Sequence, residues 1–218
     1  MSTSKTHAII FIHGLGDSGN GWTFLQRQLS SLSRTVHFEF PTAPVDRVTC
    51  NGGARCTSWF DIIKIPVLMS EPDNPSSLTE NCAKIHKLID DVAAKHSIPT
   101  SNIALGGFSQ GGAMSLCAGG SYPLPLAGVA CLSGWLLRKD ETVANWVTKK
   151  DVPLFIGHGS EDVVVVTELG VEAAKRIMEG RGKNTDNVTF HCYEGEGHGA
   201  CEDELEHLEQ FFKSCFKM

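Results

Sequence analysis

The sequence predicts an α/β fold with a mostly parallel central sheet and helices on both faces of that sheet. Short apolar runs such as residues 8–12 and 126–132 contain no charged residue, as expected for strands buried on both faces of a parallel sheet. These runs alternate about six times with segments of helical spacing, the order that strand–helix–strand units produce. Functional residues should therefore follow directly after strands, where the carboxyl ends of the strands meet.

The first part of the chain contains two predicted strands and one predicted helix. Residues 8–12 form the first strand, and residues 22–32 carry apolar side chains at helical spacing. Residues 36–40 alternate between apolar and polar side chains, so they form the second strand, which Pro41 ends.

The segment from about 42 to 77 has no regular spacing and contains several prolines. An irregular segment of this length is usually a binding loop or disordered. The aromatic pair Trp59 and Phe60 and the mostly apolar run 62–69 argue against disorder. We expect this segment to fold over the core or over an apolar ligand.

The rest of the chain continues the alternation to its end. The further predicted strands are 103–105, 126–132, 152–156 and 188–193. The further predicted helices are 81–94, 113–118, 141–147, 167–178 and 202–216. Because there is no internal repeat and no linker, residues 1–218 are expected to form a single domain.

Composition indicates an ordinary globular protein. The chain has 218 residues, of which 41% are hydrophobic and 20% charged, and this is enough to bury one substantial core. Its net charge of -6 is modest and its basic residues are scattered. Nothing in this pattern favours nucleic acid or an anionic membrane surface as a partner.

The N-terminus and the cysteines indicate a cytoplasmic protein. The polar start 1–7 leads directly into a strand, so no secretory signal is expected, and no apolar run approaches the roughly 20 residues of a membrane span. None of the eight cysteines forms a Cys-x-x-Cys pair. Free thiols in a reducing cytoplasm are the main interpretation, and a local disulfide between Cys50 and Cys56 is the alternative.

The most informative motif is Gly107-Phe108-Ser109-Gln110-Gly111, which fits the Gly-x-Ser-x-Gly pattern of a nucleophile elbow. In such an elbow a strand turns sharply into a helix and exposes the serine hydroxyl. The flanking glycines are needed because the strand and helix backbones come very close. The motif predicts Ser109 as a nucleophile.

A glycine-rich loop follows the first strand and has two functional interpretations. Gly14, Gly16 and Gly19 match the Gly-x-Gly-x-x-Gly of a dinucleotide site, and Glu39 stands about 20 residues further on. The other interpretation is the loop that supplies an oxyanion-hole N–H in hydrolases, and the serine elbow favours it. The elbow supplies one donor from the Gln110 backbone N–H, and the Leu15 backbone N–H is the natural second.

A serine nucleophile needs a base and an acid to orient that base. In folds with this elbow both partners follow the serine, in the order acid and then histidine. His198 stands between two glycines just past the last strand, and Asp162 follows the strand 152–156. Glu161, Asp140 and Glu141 are the remaining candidates for the acid. No metal-ligand spacing is present and no cofactor is implied.

Several motifs together resemble the acyl-protein thioesterases, which belong to the phospholipase and carboxylesterase group of the α/β-hydrolases. The likeness runs from about residue 8 to about residue 215. The segments that carry it are 11–19, 41–44, 58–62, 106–112, 132–136 and 158–162.

The resemblance implies a single-domain α/β-hydrolase that removes fatty-acyl groups from protein cysteines, with esterase and lysophospholipase activities beside it. It assigns the nucleophile, acid and base to Ser109, Asp162 and His198, in agreement with the choices above. It also implies that Trp59 helps form an apolar acyl channel and that Trp135 lies near the nucleophile. Its substrates would be S-acylated proteins or lipid-like esters, which leaves room for transient contact with a membrane surface.

The sequence departs from the family pattern at a few positions. Val163 stands where a proline often follows the acid, and Gly199 follows the histidine where serines are common. Some members carry a lipidated cysteine near the N-terminus, whereas this chain has Ser2 and no cysteine before Cys50. Two other functions stay open at this point, a carboxylesterase for small soluble esters and a hydrolase-fold receptor without turnover.

Overall fold

The computed structural model describes residues 5–183 and 185–218, and within them it contains eight strands and six α-helices. Residues 1–4, which bear on the expectations about the N-terminus and Ser2, lie outside the described residues. The strands are β1 (His7–Ile12), β2 (Val36–Glu39), β3 (Val45–Arg47), β4 (Arg55–Thr57), β5 (Ile103–Phe108), β6 (Gly128–Leu132), β7 (Leu154–Gly159) and β8 (Val188–Tyr193). The helices are α1 (Leu25–Gln28), α2 (Leu78–His96), α3 (Gln110–Ser121), α4 (Lys139–Thr148), α5 (Thr167–Arg181) and α6 (Glu202–Cys215).

The central sheet has the strand order β2-β1-β5-β6-β7-β8, and every neighbouring pair in it is parallel. The predicted α/β fold is therefore confirmed. Strands β3 and β4 form a separate antiparallel hairpin. Because all strands of the central sheet point the same way, the loops that follow them meet at one edge.

The core lies on both faces of the sheet, which explains the unbroken apolar runs. Ile10 and Ile12 of β1 point into a cluster with α2, α3 and α5. Ile9 and Phe11 of the same strand point into a second cluster with α1 and α6. Successive side chains of a strand alternate between faces, so a strand covered on both sides needs apolar residues at every position.

The predicted helix over 22–32 is wrong as a single element. The segment forms a turn of 3-10 helix at Gly19–Trp22, the short α1 and another 3-10 turn at Ser30–Leu32. Hydroxyl groups bond back to the main chain here: Ser33 Oγ donates to Ser30 O at 2.7 Å. Such bonds give the backbone an alternative to a continuous α-helix.

The segment 42–77 is mostly irregular, as expected, but it contains the β3–β4 hairpin. Gly52 and Gly53 make the turn of this hairpin with φ angles of 65° and 79°. All eight cysteines lie in the described part of the chain, and all are free thiols. The side chain of Asn51 contacts both Cys50 and Cys56, so the alternative of a local disulfide does not hold in this structure.

Within the described ranges, each helix is too short or too polar to cross a bilayer.

Candidate active site

Ser109 occupies the sharp turn between β5 and α3. Its backbone has φ 56° and ψ -121°, a conformation that non-glycine residues rarely adopt and that is costly unless surrounding contacts impose it. Its N–H donates to Leu132 O of β6 at 2.8 Å. This anchored turn presents the hydroxyl at the carboxyl edge of the sheet.

The flanking glycines are required by the close packing of backbones. A Cβ atom at Gly107 would lie 2.3 Å from Gly111 O, and one at Gly111 would lie 2.1 Å from Ile12 O. Both distances are far below van der Waals contact. The turn that holds Ser109 therefore depends on glycine at both positions.

Three predicted residues meet at this edge in one hydrogen-bonded chain. Ser109 Oγ lies 3.0 Å from His198 Nε2, and His198 Nδ1 lies 2.7 Å from Asp162 Oδ2. The Phe108 ring packs beside the imidazole of His198, with the ring centroids 4.8 Å apart. Since a carboxylate only accepts hydrogen bonds, Nδ1 carries a proton and Nε2 is free to accept the serine proton.

The carboxylate of Asp162 is fully buried and accepts hydrogen bonds on both oxygens. Its Oδ1 accepts the N–H groups of Val164 and Val165, both at 2.9 Å, and its Oδ2 faces His198 and His158. Burial opposes ionisation of this group, but the hydrogen bonds from the two histidines and two N–H groups hold its pKa well below the usual range. Asp162 is therefore an anion at any physiological pH.

The other candidates for the acid face elsewhere. The neighbouring Glu161 is exposed. Asp140 and Glu141 belong to α4, where Asp140 pairs with Arg176 at 2.5 Å and Glu141 with Arg138 at 3.8 Å. The structure brings only Asp162, among the acids considered, to His198.

The loop after β1 lies against the serine turn. Leu15 lines the same cavity as Ser109, and a Cβ atom at Gly14 would lie 3.3 Å from Ser109 Cβ. Gln110 is the first residue of α3, so its backbone N–H has no acceptor within the helix. Leu15 and Gln110 thus flank the hydroxyl, in positions compatible with an oxyanion hole.

The same loop does not have the form of a dinucleotide site. It leads into a single 3-10 turn instead of an α-helix, whereas the dinucleotide fingerprint places the pyrophosphate on a helix N-terminus. Glu39 is engaged by His37 at 3.0 Å.

The side chain of Gln110 has a role that the sequence reasoning missed. It is fully buried, and its Oε1 accepts the backbone N–H of Trp59 at 2.9 Å. Its Nε2 donates to Ser58 Oγ at 3.0 Å and to Phe60 O at 2.7 Å. This side chain therefore ties the irregular segment to the start of α3, directly after Ser109. The only signal in the sequence was a long polar side chain at the start of a helix of small and apolar residues with two serines.

The two predicted substrate-binding tryptophans are buried behind the site. Trp59 Nε1 donates to His13 O at 2.9 Å, beside the loop that carries Leu15. Trp135 packs edge-on against Phe60, with ring centroids 5.8 Å apart. Neither tryptophan is among the described residues that line the cavity, so their contact with an acyl chain stays a prediction.

Ser109 and His198 open into a cavity of about 260 Å³ whose wall is mostly apolar. Val67 joins this wall to the loop of Asp162 through a parallel bridge to Val165, in which Val67 N–H donates to Val164 O at 2.8 Å. Ile65 lies at the outer rim of the cavity and is 44% exposed. The lining residues are Gly14, Leu15, Asp17, Trp22, Ile62, Ile65, Val67, Phe108, Ser109, Val164, Val165 and His198.

Comparison with known proteins identifies relatives over nearly the whole chain. An acyl-protein thioesterase 1 of Mycosarcoma maydis is 39% identical over 218 residues, covering 95% of this chain and 90% of the relative. The carboxylesterase SOBER1 of Arabidopsis thaliana is 35% identical over 211 residues, covering 96% of this chain and 90% of that protein.

The fold is also similar to solved structures. The crystal structure of Arabidopsis thaliana SOBER1 superposes with a TM-score of 0.86 at 33% identity, covering 96% of this chain and 98% of that one. The family model described as phospholipase/carboxylesterase matches residues 2–216. With this match, the relatives and the geometry at the sheet edge, the chain belongs to the phospholipase/carboxylesterase family of α/β-hydrolases.

Proposed function

We propose that the protein is a serine hydrolase that cleaves fatty-acyl thioesters from protein cysteines, with esterase and lysophospholipase activity beside it. The observation that carries this proposal is the hydrogen-bonded chain from Ser109 through His198 to Asp162, opening into an apolar cavity. Relatives named acyl-protein thioesterase 1 and carboxylesterase support the reaction class.

The first half of the reaction transfers the acyl group to the enzyme. Ser109 Oγ attacks the thioester carbonyl carbon while His198 Nε2 takes the hydroxyl proton, and Asp162 stabilises the resulting imidazolium. The backbone N–H groups of Leu15 and Gln110 receive the oxyanion. When the tetrahedral intermediate collapses, the carbon–sulfur bond breaks and His198 returns its proton to the leaving cysteine sulfur.

The second half releases the fatty acid. A water molecule attacks the acyl-serine carbonyl while His198 again accepts a proton, and the same N–H groups hold the second oxyanion. Collapse breaks the ester bond, and the proton on His198 returns to Ser109 Oγ. The products are a carboxylic acid and the unchanged enzyme.

The cavity wall supports an acyl chain as the recognised group. Ile62, Val67, Val164 and Val165 line it with aliphatic side chains, and each buried CH₂ contributes about 0.8 kcal/mol to binding. S-acylated proteins or lipid-like esters are the proposed substrates. The free state of all eight cysteines, which lie within the described residues, supports a reducing cytoplasm as the proposed location.

The serine variant is the direct test. Ser109→Ala should lower the rate of palmitoyl-thioester hydrolysis by at least about 10³-fold, because the nucleophile is lost while substrate binding remains. Ser101→Ala, at an exposed position outside the site, should keep full activity. Undiminished turnover by the Ser109 variant contradicts the proposal.

The second candidate is a carboxylesterase for small soluble esters, which the name of the SOBER1 relative and the modest cavity of about 260 Å³ favour. Rates across acyl chains of increasing length separate the two candidates. A steady rise in kcat/KM toward long chains supports the thioesterase, and a maximum at the shortest chains supports the carboxylesterase. Failure of a fluorophosphonate to label Ser109 would instead indicate a fold without turnover.

A further inference from the structure

His158 is a buried histidine that the proposed reaction does not use. It belongs to β7 and is fully buried. Its Nε2 lies 2.8 Å from Val165 O and 3.2 Å from Asp162 Oδ2. A backbone carbonyl only accepts hydrogen bonds, so Nε2 carries a proton and donates it to Val165 O, with Asp162 Oδ2 close beside this N–H group.

The other ring nitrogen defines the tautomer. Nδ1 of His158 is buried and has no hydrogen-bond partner among the described residues. Gly170 of α5 closes over it, since a Cβ atom there would lie 2.5 Å from Nδ1. A proton on Nδ1 would therefore be buried without an acceptor, which is unfavourable. The arrangement selects a ring with its single proton on Nε2.

Asp162 Oδ2 consequently lies near the N–H groups of two imidazole rings. His198 approaches from the loop after β8 at 2.7 Å, and His158 approaches from β7 at 3.2 Å. Among the described residues, these two histidines are the titratable groups in contact with the carboxylate, and the N–H groups of Val164 and Val165 occupy the other oxygen. His198 itself contacts Ser109 and the Phe108 ring on its other sides.

We propose that His158 is a positioning residue that holds the Asp162 loop in place and shares the negative charge of Oδ2 with His198. Through its bond to Val165 O it fixes the backbone that donates to Oδ1. Through its contact with Oδ2 it reduces the electrostatic stabilisation that the carboxylate gives to the protonated form of His198. This inference rests on the proposed function, because it concerns the acid and base of the same reaction.

The expected consequence is a change in the pH dependence of activity. Without the His158 donor, more negative charge remains on Oδ2 and stabilises the imidazolium form of His198. Removal of the donor should therefore shift the acid limb of kcat/KM to higher pH.

The test compares His158→Leu, which removes the donor, with His158→Gln, whose amide can place an N–H group near the position of Nε2. The leucine variant should lower kcat about tenfold, leave KM nearly unchanged and move the acid limb upward by roughly half a pH unit or more. The glutamine variant should recover most of the loss. A folded leucine variant with the wild-type acid limb overturns the proposal.

A measurement on the wild-type protein keeps the inference testable if the leucine variant does not fold. Nitrogen chemical shifts of ¹⁵N-labelled histidine should show His158 protonated on Nε2 and bare on Nδ1, with a coupling across the hydrogen bond to its acceptor. A proton on Nδ1 overturns the inference. This measurement does not depend on turnover, so it separates a failure here from a failure of the Ser109→Ala test.

Discussion

At the carboxyl edge of the sheet, the surroundings of Ser109 and Asp162 differ from the segment 61–69 in burial and in hydrogen bonding. Ser109 and Asp162 are buried, and backbone hydrogen bonds hold the Ser109 turn and the Asp162 carboxylate in place. The segment 61–69, which forms part of the cavity wall, instead exposes large apolar side chains. The exposed ones are Ile63, Ile65, Leu68 and Met69.

This difference follows from what each region has to do. Nucleophile, base and oxyanion donors must be aligned to within a fraction of an ångström, because small displacements cost large factors in rate. An acyl chain is held by non-directional apolar contact, which tolerates many arrangements of the wall. The reacting groups are therefore expected to be sensitive to single atoms, and the wall to be tolerant.

The largest effect is expected at Gly111, in the turn that holds Ser109. Gly111→Ala places a Cβ atom 2.1 Å from Ile12 O, so β1 or α3 must shift. We expect a loss of more than about 3 kcal/mol in unfolding free energy, or no folded protein, and activity at least about 10²-fold lower. Denaturant unfolding measures the free energy of unfolding, and thioester hydrolysis measures the activity.

Gly199→Ala is the control, because nothing lies within 4 Å of the added Cβ atom. Its free energy of unfolding should equal that of the wild type. Equal stability of the two variants would show that the elbow is looser than its backbone contacts indicate.

A smaller loss is expected for Gln110→Leu. The change leaves the Trp59 backbone N–H buried without its acceptor, while Phe60 O keeps the Ser58 hydroxyl as a donor. The expected cost is about 1–3 kcal/mol. Activity should fall as well, because the segment 58–60 loses its attachment to the turn that holds Ser109. Thermal unfolding and kcat measure the two effects.

Gln26→Leu, at an exposed position, is the matched control and should change stability by less than about 0.5 kcal/mol. If the Gln110 variant is as stable as this control, the buried amide does not join the two regions.

Glu204 of α6, which packs against β7, provides a test in the opposite direction, since its replacement should stabilise the protein. Its Oε1 is buried without a partner, against Gly157 of β7. Burial, reinforced by the charge of Glu196, raises the pKa of Glu204 to about 8. The folded state therefore keeps a proton that the unfolded chain loses above about pH 4.3, so stability falls as the pH rises between these two values.

Glu204→Gln should remove this pH dependence and stabilise the protein by roughly 1–3 kcal/mol at pH 8. Unfolding measured at pH 5 and at pH 8 gives the difference. The exposed Glu206→Gln on the same helix should leave the pH dependence unchanged. A Glu204 variant whose stability keeps the wild-type slope would show that this carboxyl is solvated.

The smallest effect on stability is expected in the wall. Ile65 is 44% exposed, so Ile65→Ala should change unfolding free energy by less than about 1 kcal/mol. It should nevertheless lower kcat/KM for long acyl chains several-fold and leave short chains unaffected, because chain contact is lost. Val171→Ala on α5, also 44% exposed, should change neither quantity.

The sequence was most informative where a feature depends on neighbouring residues. Apolar runs identified the strands, and the rule that functional loops follow strands led to Ser109, Asp162 and His198, which the structure brings together. The predicted helix 22–32 is divided into short elements in the structure, and the apolar spacing alone does not reveal this division.

Other features depend on residues far apart in the chain. Gln110 contacts a segment about 50 residues away, and Gly170 of α5 closes over Nδ1 of His158 in β7. A single sequence contains no pattern that pairs such residues. Their roles therefore become visible only when the packing is known.

The bridge between Val67 and Val165 has a consequence for how such enzymes diverge. The wall is attached to the Asp162 loop through main-chain atoms of one residue, with Val67 N–H donating to Val164 O and Val67 O accepting from Val166 N–H. Main-chain bonds survive substitution of the side chain. Substitutions on either side of position 67 can therefore change which acyl chains are accepted during evolution. The position of Asp162 stays the same, because these main-chain bonds are kept.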